Sequence, residues 1–157
     1  IFTIYFQVKN ILKCKYTKKI FNFAQKISMT GTTPKISGLI ITYNEEKNIK
    51  EVLECFNFCD EIIVVDSFST DNTVSIAQSF SKVKVVQNKF EDFAKQRNLA
   101  LQHASNDWVL FLDADERITP ALQSEIITTL NDPDKKDAYY FKRLFFFAGK
   151  PILLKEL

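Results

Sequence analysis

What this chain has little of narrows its reading first. It holds three glycines and four prolines in 157 residues. Chains that cannot fold are rich in such residues and poor in large apolar ones. Here 46% of residues are hydrophobic and 25% are charged, the balance of one compact domain with a sizeable core. There is one histidine, His103, and there are three cysteines, Cys14, Cys55 and Cys59. An odd number of cysteines without a pairing pattern argues against a disulfide framework. A single histidine beside Cys55 and Cys59 argues against zinc. Free thiols in a reducing compartment are the expectation. No apolar run approaches the roughly 18 residues that a membrane span needs. No apolar core followed by a small-residue cleavage site marks a signal peptide. There is no internal repeat and no low-complexity tract.

Acid is missing from residues 1–44, which carry seven lysines, whereas residues 45–157 carry 14 basic and 19 acidic residues. A basic, acid-free leader on an acidic body does not fit a nucleic-acid-binding body. Residues 1–34 are read as a basic extension and residues 35–157 as the domain proper. Residues 1–28 interleave lysine with apolar side chains, without a clean helical stripe. Two readings of them stay open. One is peripheral contact with an anionic membrane surface. The other is an extension that is not native to the domain, with Met29 as a candidate start.

From Lys35 onward the pattern becomes regular. ISGLIIT, Ile36 to Thr42, is a buried-strand signal. Ile49, Val52, Leu53 and Phe56 then form a helical stripe. EIIVV, Glu61 to Val65, is a second strand running into Asp66. Ser69 to Phe80 fits a helix, Val83 to Val86 a third strand, and Glu91 to Ala104 a second long helix. WVLFL, Trp108 to Leu112, is a fourth strand running into Asp113. Thr119-Pro120 opens another helix, with Thr at the N-cap and Pro at the first position, which stops near Asn131-Asp132-Pro133. Ala138 to Phe147 reads as one long aromatic strand, and 148–151 as a turn. Strands alternating with helices predict an α/β fold with a mostly parallel sheet.

In such sheets ligands bind beyond the carboxyl ends of the strands. The polar residues gather there: Thr42-Tyr43-Asn44-Glu45, Asp66-Ser67, and Asp113-Ala114-Asp115-Glu116. Asp113 and Asp115 are one residue apart. In an extended chain their carboxylates point to one side, roughly 6–7 Å apart. Such a pair suits one hard divalent cation shared with a diphosphate, and a bound Mg²⁺ or Mn²⁺ stabilises charge on a departing nucleoside diphosphate. The plainer alternative is that these acids only cap the next helix. Asp66 is read as a hydrogen-bonding partner of a base or ribose, with a helix-capping role as the alternative. Asp71 is read as a first-turn helix residue. Lys95 and Arg97 lie early in their helix. Arg97 either meets a diphosphate, which its guanidinium suits, or pairs with Glu91 or Asp92 on the surface. His103 and the Phe145-Phe146-Phe147 run are read as structural. A phosphoacceptor signalling domain would need an acidic pair after the first strand, where this chain has Thr42-Tyr43-Asn44.

The motifs ISGLIITYNEEKNI, EIIVVDSFSTDNT, FAKQRNLAL and WVLFLDADERITP, in this order between about Lys35 and Pro151, resemble the family-2 glycosyltransferases with the GT-A, Rossmann-like fold. More narrowly, they resemble the branch of bacterial lipopolysaccharide-core β-glucosyltransferases. The resemblance implies an inverting transferase that takes a UDP-sugar, UDP-glucose above all, with Mg²⁺ or Mn²⁺. The acceptor would be a lipopolysaccharide core or another glycan or glycolipid. It implies that Thr42, Tyr43 and Glu45 line the nucleotide pocket, and that Asp66 contacts the nucleoside. Lys95 and Arg97 would reach the donor, Arg97 through its base or diphosphate. Asp113 would hold the ribose or a metal-bound water, and Asp115 the metal. The location implied is cytoplasmic, at the inner membrane face if the acceptor is lipid-linked.

Two departures stand out. Many relatives carry two consecutive Asp residues and Gly-Ser after the second strand, where this chain reads Asp66-Ser67-Phe68-Ser69. The general base that activates the acceptor hydroxyl lies well downstream of the Asp-x-Asp in this family. It is expected beyond Leu157, with the acceptor half missing and this chain holding mainly the donor site. The alternatives are a polyprenyl-phosphate transferase of the same family and a non-catalytic remnant acting as a binding module.

Overall fold

The computed structural model describes residues 4–8, 34–141, 145–147 and 150–152. The strands are β1 (Ile4–Val8), β2 (Ile36–Thr42), β3 (Glu61–Asp66), β4 (Val83–Gln87), β5 (Trp108–Asp113), β6 (Ala138–Phe141), β7 (Phe145–Phe147) and β8 (Lys150–Ile152). The helices are α1 (Ile49–Cys55), α2 (Thr73–Gln78), α3 (Phe93–His103) and α4 (Pro120–Asn131). The main sheet runs β4-β3-β2-β5-β1-β6. Strands β2, β3, β4 and β5 are parallel, and β1 lies antiparallel between β5 and β6. Strands β7 and β8 form a separate antiparallel pair.

Period-two alternation decides which residues face which layer. On one face of the sheet Ile36, Ile40, Ile62, Val64, Leu110 and Leu112 pack against Ile49, Val52, Leu53 and Phe56 of the α1 region, Ala77 of α2, and Ile126 and Leu130 of α4. On the other face Leu39, Ile63, Val65 and Val109 pack against Ala100, Leu101 and Ala104 around α3. The result is a three-layer helix–sheet–helix sandwich. Gly38 lies under Phe56: a Cβ built there would meet the ring at 2.6 Å, so only glycine lets β2 and the α1 layer approach this closely.

The expected strands and helices are present, with differences that have local causes. The helix expected from Ser69 begins only at Thr73. The amides of Ser69, Thr70 and Thr73 donate instead to side chains of Asp66, Asn44 and Asp71. Asp71 therefore precedes the N-cap residue Asn72 rather than sitting in the first turn, and its carboxylate accepts from the amide and hydroxyl of Thr73. Asp92 caps α3 through the Lys95 amide, so that helix starts at Phe93 rather than Glu91. Thr119 and Pro120 open α4 as expected. Of the single aromatic strand expected over Ala138–Phe147, β6 pairs in the main sheet and β7 pairs with β8, residues 142–144 lie outside the described residues, and β8 occupies residues expected to be part of a turn. Strand β1 falls within the segment read as an extension, so the boundary at residue 34 does not separate residues 4–8 from the sheet. Most of the proposed membrane-contacting stretch, residues 9–28, lies outside the described residues. Among the described residues no helix is long and apolar enough to cross a membrane.

Among the described residues the thiols of Cys55, half-buried, and Cys59, buried, are free. Burial, with Asp60 close by, pushes the Cys59 thiol far up against a smaller opposing effect of Lys82, which keeps it protonated and unreactive.

Candidate functional site

The register brings the polar strand ends into one row. Thr42 pairs with Asp66, Ile41 with Asp113, and Asp66 with Gln87. Adjacent strands lie about 4.8 Å apart, so the expected residues gather along one open edge. A hollow of about 360 Å³, lined by Lys35 and Asp60 as well as Ile36, Phe58, Ile127 and Leu130, lies at the amino end of β2, away from this edge.

Asp113 has the parity of Val109 and therefore faces the α3 layer. There Arg97 Nη2 donates to Asp113 Oδ1 at 2.9 Å. The Arg97 guanidinium also lies 5.8 Å from the centre of the Phe93 ring. Lys95, not Arg97, takes the surface pairing with Glu91 and Asp92. The hydrogen bond that the Lys95 ammonium donates to Glu91, together with the charge of that carboxylate, holds it above the usual lysine range. Of the two basic residues expected to reach a donor, the structure brings Arg97 to the strand ends and ties Lys95 to its own helix start.

The turn after β5 is closed by Glu116 N donating to Asp113 O at 3.0 Å, and by Asp113 N donating to Glu116 Oε2 at 2.9 Å. Asp115 lies exposed within it. Arg117 fastens this turn to α1. It donates to Ala114 O and Glu116 O, both at 2.9 Å, and to Glu51 Oε2 through Nε at 3.1 Å and Nη2 at 2.9 Å. Sequence reasoning missed Arg117. Its cue is a lone basic residue closing an acid-rich turn.

Asp66 is fully buried. It accepts hydrogen bonds from Ser69 N at 2.9 Å, from the Ser69 hydroxyl, and from Gln87 Nε2 at 3.3 Å. In this conformation Asp66 builds the turn, and contact with a nucleoside would require that turn to shift. Within the turn Phe68 adopts a positive φ of 61° and leaves its ring 53% exposed. Asn44 also has a positive φ, and its side chain accepts from Thr70 N at 2.8 Å. Glu45 is half-buried and turned to Asn48, whose Nδ2 donates to it at 2.7 Å. Tyr43 is exposed beside them. The Thr42 hydroxyl is buried and has no hydrogen-bond partner among the described residues. A buried hydroxyl is normally paired, and Thr42 departs from that pattern at the end of β2.

Gln96 was also missed. It is fully buried, on the apolar side of α3 with Ala100, and its amide reaches the loops after β3 and β4. A polar residue inside an apolar stripe is the cue.

Asp113 and Asp115 are the carboxylates that could offer a divalent cation hard oxygen donors at this edge. Among the described residues no group of three or more His, Cys, Asp or Glu side chains is arranged to hold a metal. With one Asp113 oxygen on Arg97, these two carboxylates would not make an all-protein cage, and a cation held by them would draw its remaining ligands from waters and a bound anion, as Mg²⁺ and Mn²⁺ do.

The glycosyl transferase family 2 model matches residues 37–152. An uncharacterised glycosyltransferase of Rickettsia typhi is 41% identical over 118 residues, 73% of this chain and 40% of that protein. The lipopolysaccharide core biosynthesis glycosyltransferase LpsC of Rhizobium meliloti is 35% identical over 73% of this chain and 44% of its own length. This chain thus spans less than half the length of either relative. Among solved structures, TarS of S. aureus matches with a TM-score of 0.55 and 32% identity, covering 62% of this chain and 32% of that one. The sheet and its flanking helices are those of the GT-A, Rossmann-like fold, and the chain belongs to glycosyl transferase family 2.

Proposed function

We propose that this chain forms the donor-holding part of an inverting glycosyltransferase that uses a UDP-sugar, UDP-glucose above all, and a divalent cation. The observation that carries the reading is the Arg97–Asp113 pair at the carboxyl edge of the sheet, with exposed Asp115 two residues on. Arg97 offers a planar cation to an anionic ligand. Asp113 and Asp115 offer carboxylates for Mg²⁺ or Mn²⁺, which when bound stabilises charge on the departing diphosphate. Thr42 offers a buried hydroxyl without a partner among the described residues, and Tyr43 an exposed ring. Lys95 and Glu45 border the same edge, each already held by a neighbour. The likeness to LpsC supports a lipopolysaccharide-core or other glycan acceptor. A supply of nucleotide sugar places the enzyme in the cytoplasm, on the inner membrane face if the acceptor is lipid-linked. No described carboxylate is assigned as the general base: Glu116 closes the β5 turn, and Glu125 is exposed on α4.

Calorimetry of UDP binding with Mn²⁺ tests the reading on the full chain and on Asp115→Ala. The expected result is metal-dependent binding to the first and at least a tenfold loss in the second. Equal affinities remove Asp115 from the metal site, and absence of UDP binding to the unchanged chain removes the donor site altogether.

A further inference from the structure

Phe93 is a large apolar residue at a place where its helix gives it little to bury. It is the first residue of α3 and is 62% exposed. The first turn of a helix favours acidic side chains, which meet the positive end of its dipole, yet the first turn of α3 holds none. Phe90, also exposed, meets Phe93 edge to face, with ring centres 5.1 Å apart and planes at 74°. This is an arrangement that aromatic pairs prefer. Neither ring belongs to the clusters that fill the two core layers.

What the Phe93 ring does meet is Arg97. The two residues stand four apart, the spacing at which side chains share a helix face. The Arg97 guanidinium lies over the ring, 5.8 Å from its centre. A guanidinium carries five N–H donors in one plane. Nη2 donates to Asp113 Oδ1, and among the described residues the Nε and Nη1 hydrogens go to no acceptor. A ring attracts the cation through its flat face, so this contact leaves the in-plane donors open.

The two holds on Arg97 differ in kind. Asp113 is also one of the two carboxylates proposed for the divalent cation, and a cation that engages Asp113 weakens its hold on Arg97. The Phe93 ring carries no charge and no oxygen, so its hold persists when Asp113 is engaged elsewhere.

We propose that Phe93 is a positioning residue for Arg97. Its ring, steadied by Phe90, keeps the guanidinium at the carboxyl edge with the Nε and Nη1 hydrogens free for an anionic group of the donor. The inference rests on the donor-site reading above and concerns how Arg97 is held there.

The test measures UDP affinity with Mn²⁺ on the full chain, for the unchanged protein, Phe93→Leu, Phe93→Tyr, Arg97→Ala and the Arg97→Ala, Phe93→Leu double variant. Leucine is apolar and a good helix former, so Phe93→Leu removes the ring and little else, and thermal melts check its fold. It should lose about 2- to 5-fold in UDP affinity, the range for an exposed cation–ring contact. Phe93→Tyr keeps the aromatic face and should keep the affinity. Once Arg97 is alanine, Phe93→Leu should bring no further loss. Nuclear magnetic resonance of the Arg97 side chain needs no ligand: its signals should lie upfield under the ring current and move toward those of free arginine in Phe93→Leu. A ring that serves only the start of the helix would change the melting temperature and leave these readings alone. The inference is overturned if Phe93→Leu binds UDP as tightly as the unchanged chain, or if Phe93→Tyr loses as much as Phe93→Leu. It is also overturned if Phe93→Leu loses as much without Arg97 as with it. Each of these outcomes leaves the donor site standing. Absence of UDP binding to the unchanged chain overturns both.

Discussion

Arg97 Nη2 donates to Asp113 Oδ1 at 2.9 Å, so a cation from α3 reaches across to the last carboxylate of β5. Both side chains are about 40% exposed, at 41% and 38%. A pair this open contributes little to folding, up to about 1 kcal/mol. It matters for what it does at the edge: it keeps the guanidinium extended toward the carboxyl ends and lowers the repulsion between Asp113 and Asp115.

Replacing Arg97 should therefore separate binding from stability. Arg97→Ala is expected to change the melting temperature by only a few degrees while UDP affinity falls about 10-fold or more, the scale of a lost charge-assisted hydrogen bond. Arg97→Lys keeps the charge and loses the planar fork, and should recover less than half of the lost binding energy. Titration calorimetry beside thermal melts checks both. Full recovery by lysine would reduce the role of Arg97 to charge alone.

Arg117 makes the opposite case, a residue off the open edge that places one on it. It joins Glu51 of α1 to the carbonyls of Ala114 and Glu116, and Asp115 sits on the turn so held. Arg117→Ala should weaken Mn²⁺-dependent UDP binding several-fold and leave any metal-free binding nearly unchanged. It should also lower stability by about 1 kcal/mol, which is roughly 2–4 °C in melting temperature for a chain of this size. Glu51→Ala should act in the same direction. The double variant should show coupling of about 0.5 kcal/mol or more if the two residues work as a pair.

Much of this frame was legible because β-strand parity and helical spacing are short-range rules. Val109 and Asp113 share a face, so Asp113 had to look toward α3. The partners of Lys95 were legible too: Glu91 and Asp92 stand four and three residues before it, the spacings at which helix side chains meet. Arg97 is five and six away and turns elsewhere, so the surface pairing weighed for it belonged to Lys95. What the sequence could not show depends on distant chain segments. The burial of Asp66 follows from how its turn folds against Gln87 of β4. Gln96 became a link only once the loops after β3 and β4 were brought over α3. The slot that Ile4–Val8 fills between β5 and β6 is set by strands more than a hundred residues later.

The amino ends of the strands carry their own polar latch, and it makes stability depend on acid. Glu61 accepts from Ser37 Oγ and Ser105 N, both at 2.5 Å, and from Ser105 Oγ at 3.1 Å. Burial alone would push its carboxyl up, but these hydrogen bonds outweigh that and hold it below the usual glutamate range. A carboxyl lowered in the folded state adds stability that is fully present above its unfolded value, about 4.3. That stability is lost as pH falls through the lower, folded value. Glu61→Gln should therefore be less stable than the unchanged chain at pH 7, and the gap should close as the pH drops below about 4. Urea denaturation across pH measures it, and a gap that stays constant would show that the carboxylate charge is not what the serines recognise.

Phe68 holds a left-handed backbone conformation, φ 61°, in a turn where glycine would carry no strain. For a bulky residue this costs on the order of 1–2 kcal/mol. Asp66 enforces it by accepting from both the amide and the hydroxyl of Ser69. Strain of this kind is kept where the surrounding structure over-determines it, and such places cluster at ligand sites. Two substitutions separate the backbone from the ring. Phe68→Ala removes the half-exposed ring and keeps the strain, whereas Phe68→Gly removes both. Glycine adds freedom to the unfolded chain, an opposing effect of roughly 0.4–1 kcal/mol. Phe68→Gly is nonetheless expected to be more stable than Phe68→Ala by about 0.5–1 kcal/mol, read as the difference between their urea midpoints at equal slope. Equal midpoints would mean that the turn bears no strain at Phe68. If glycine instead proves more stable than the native phenylalanine, the ring is being kept at a cost to folding, and the place to look for its use is the open edge onto which the turn projects it.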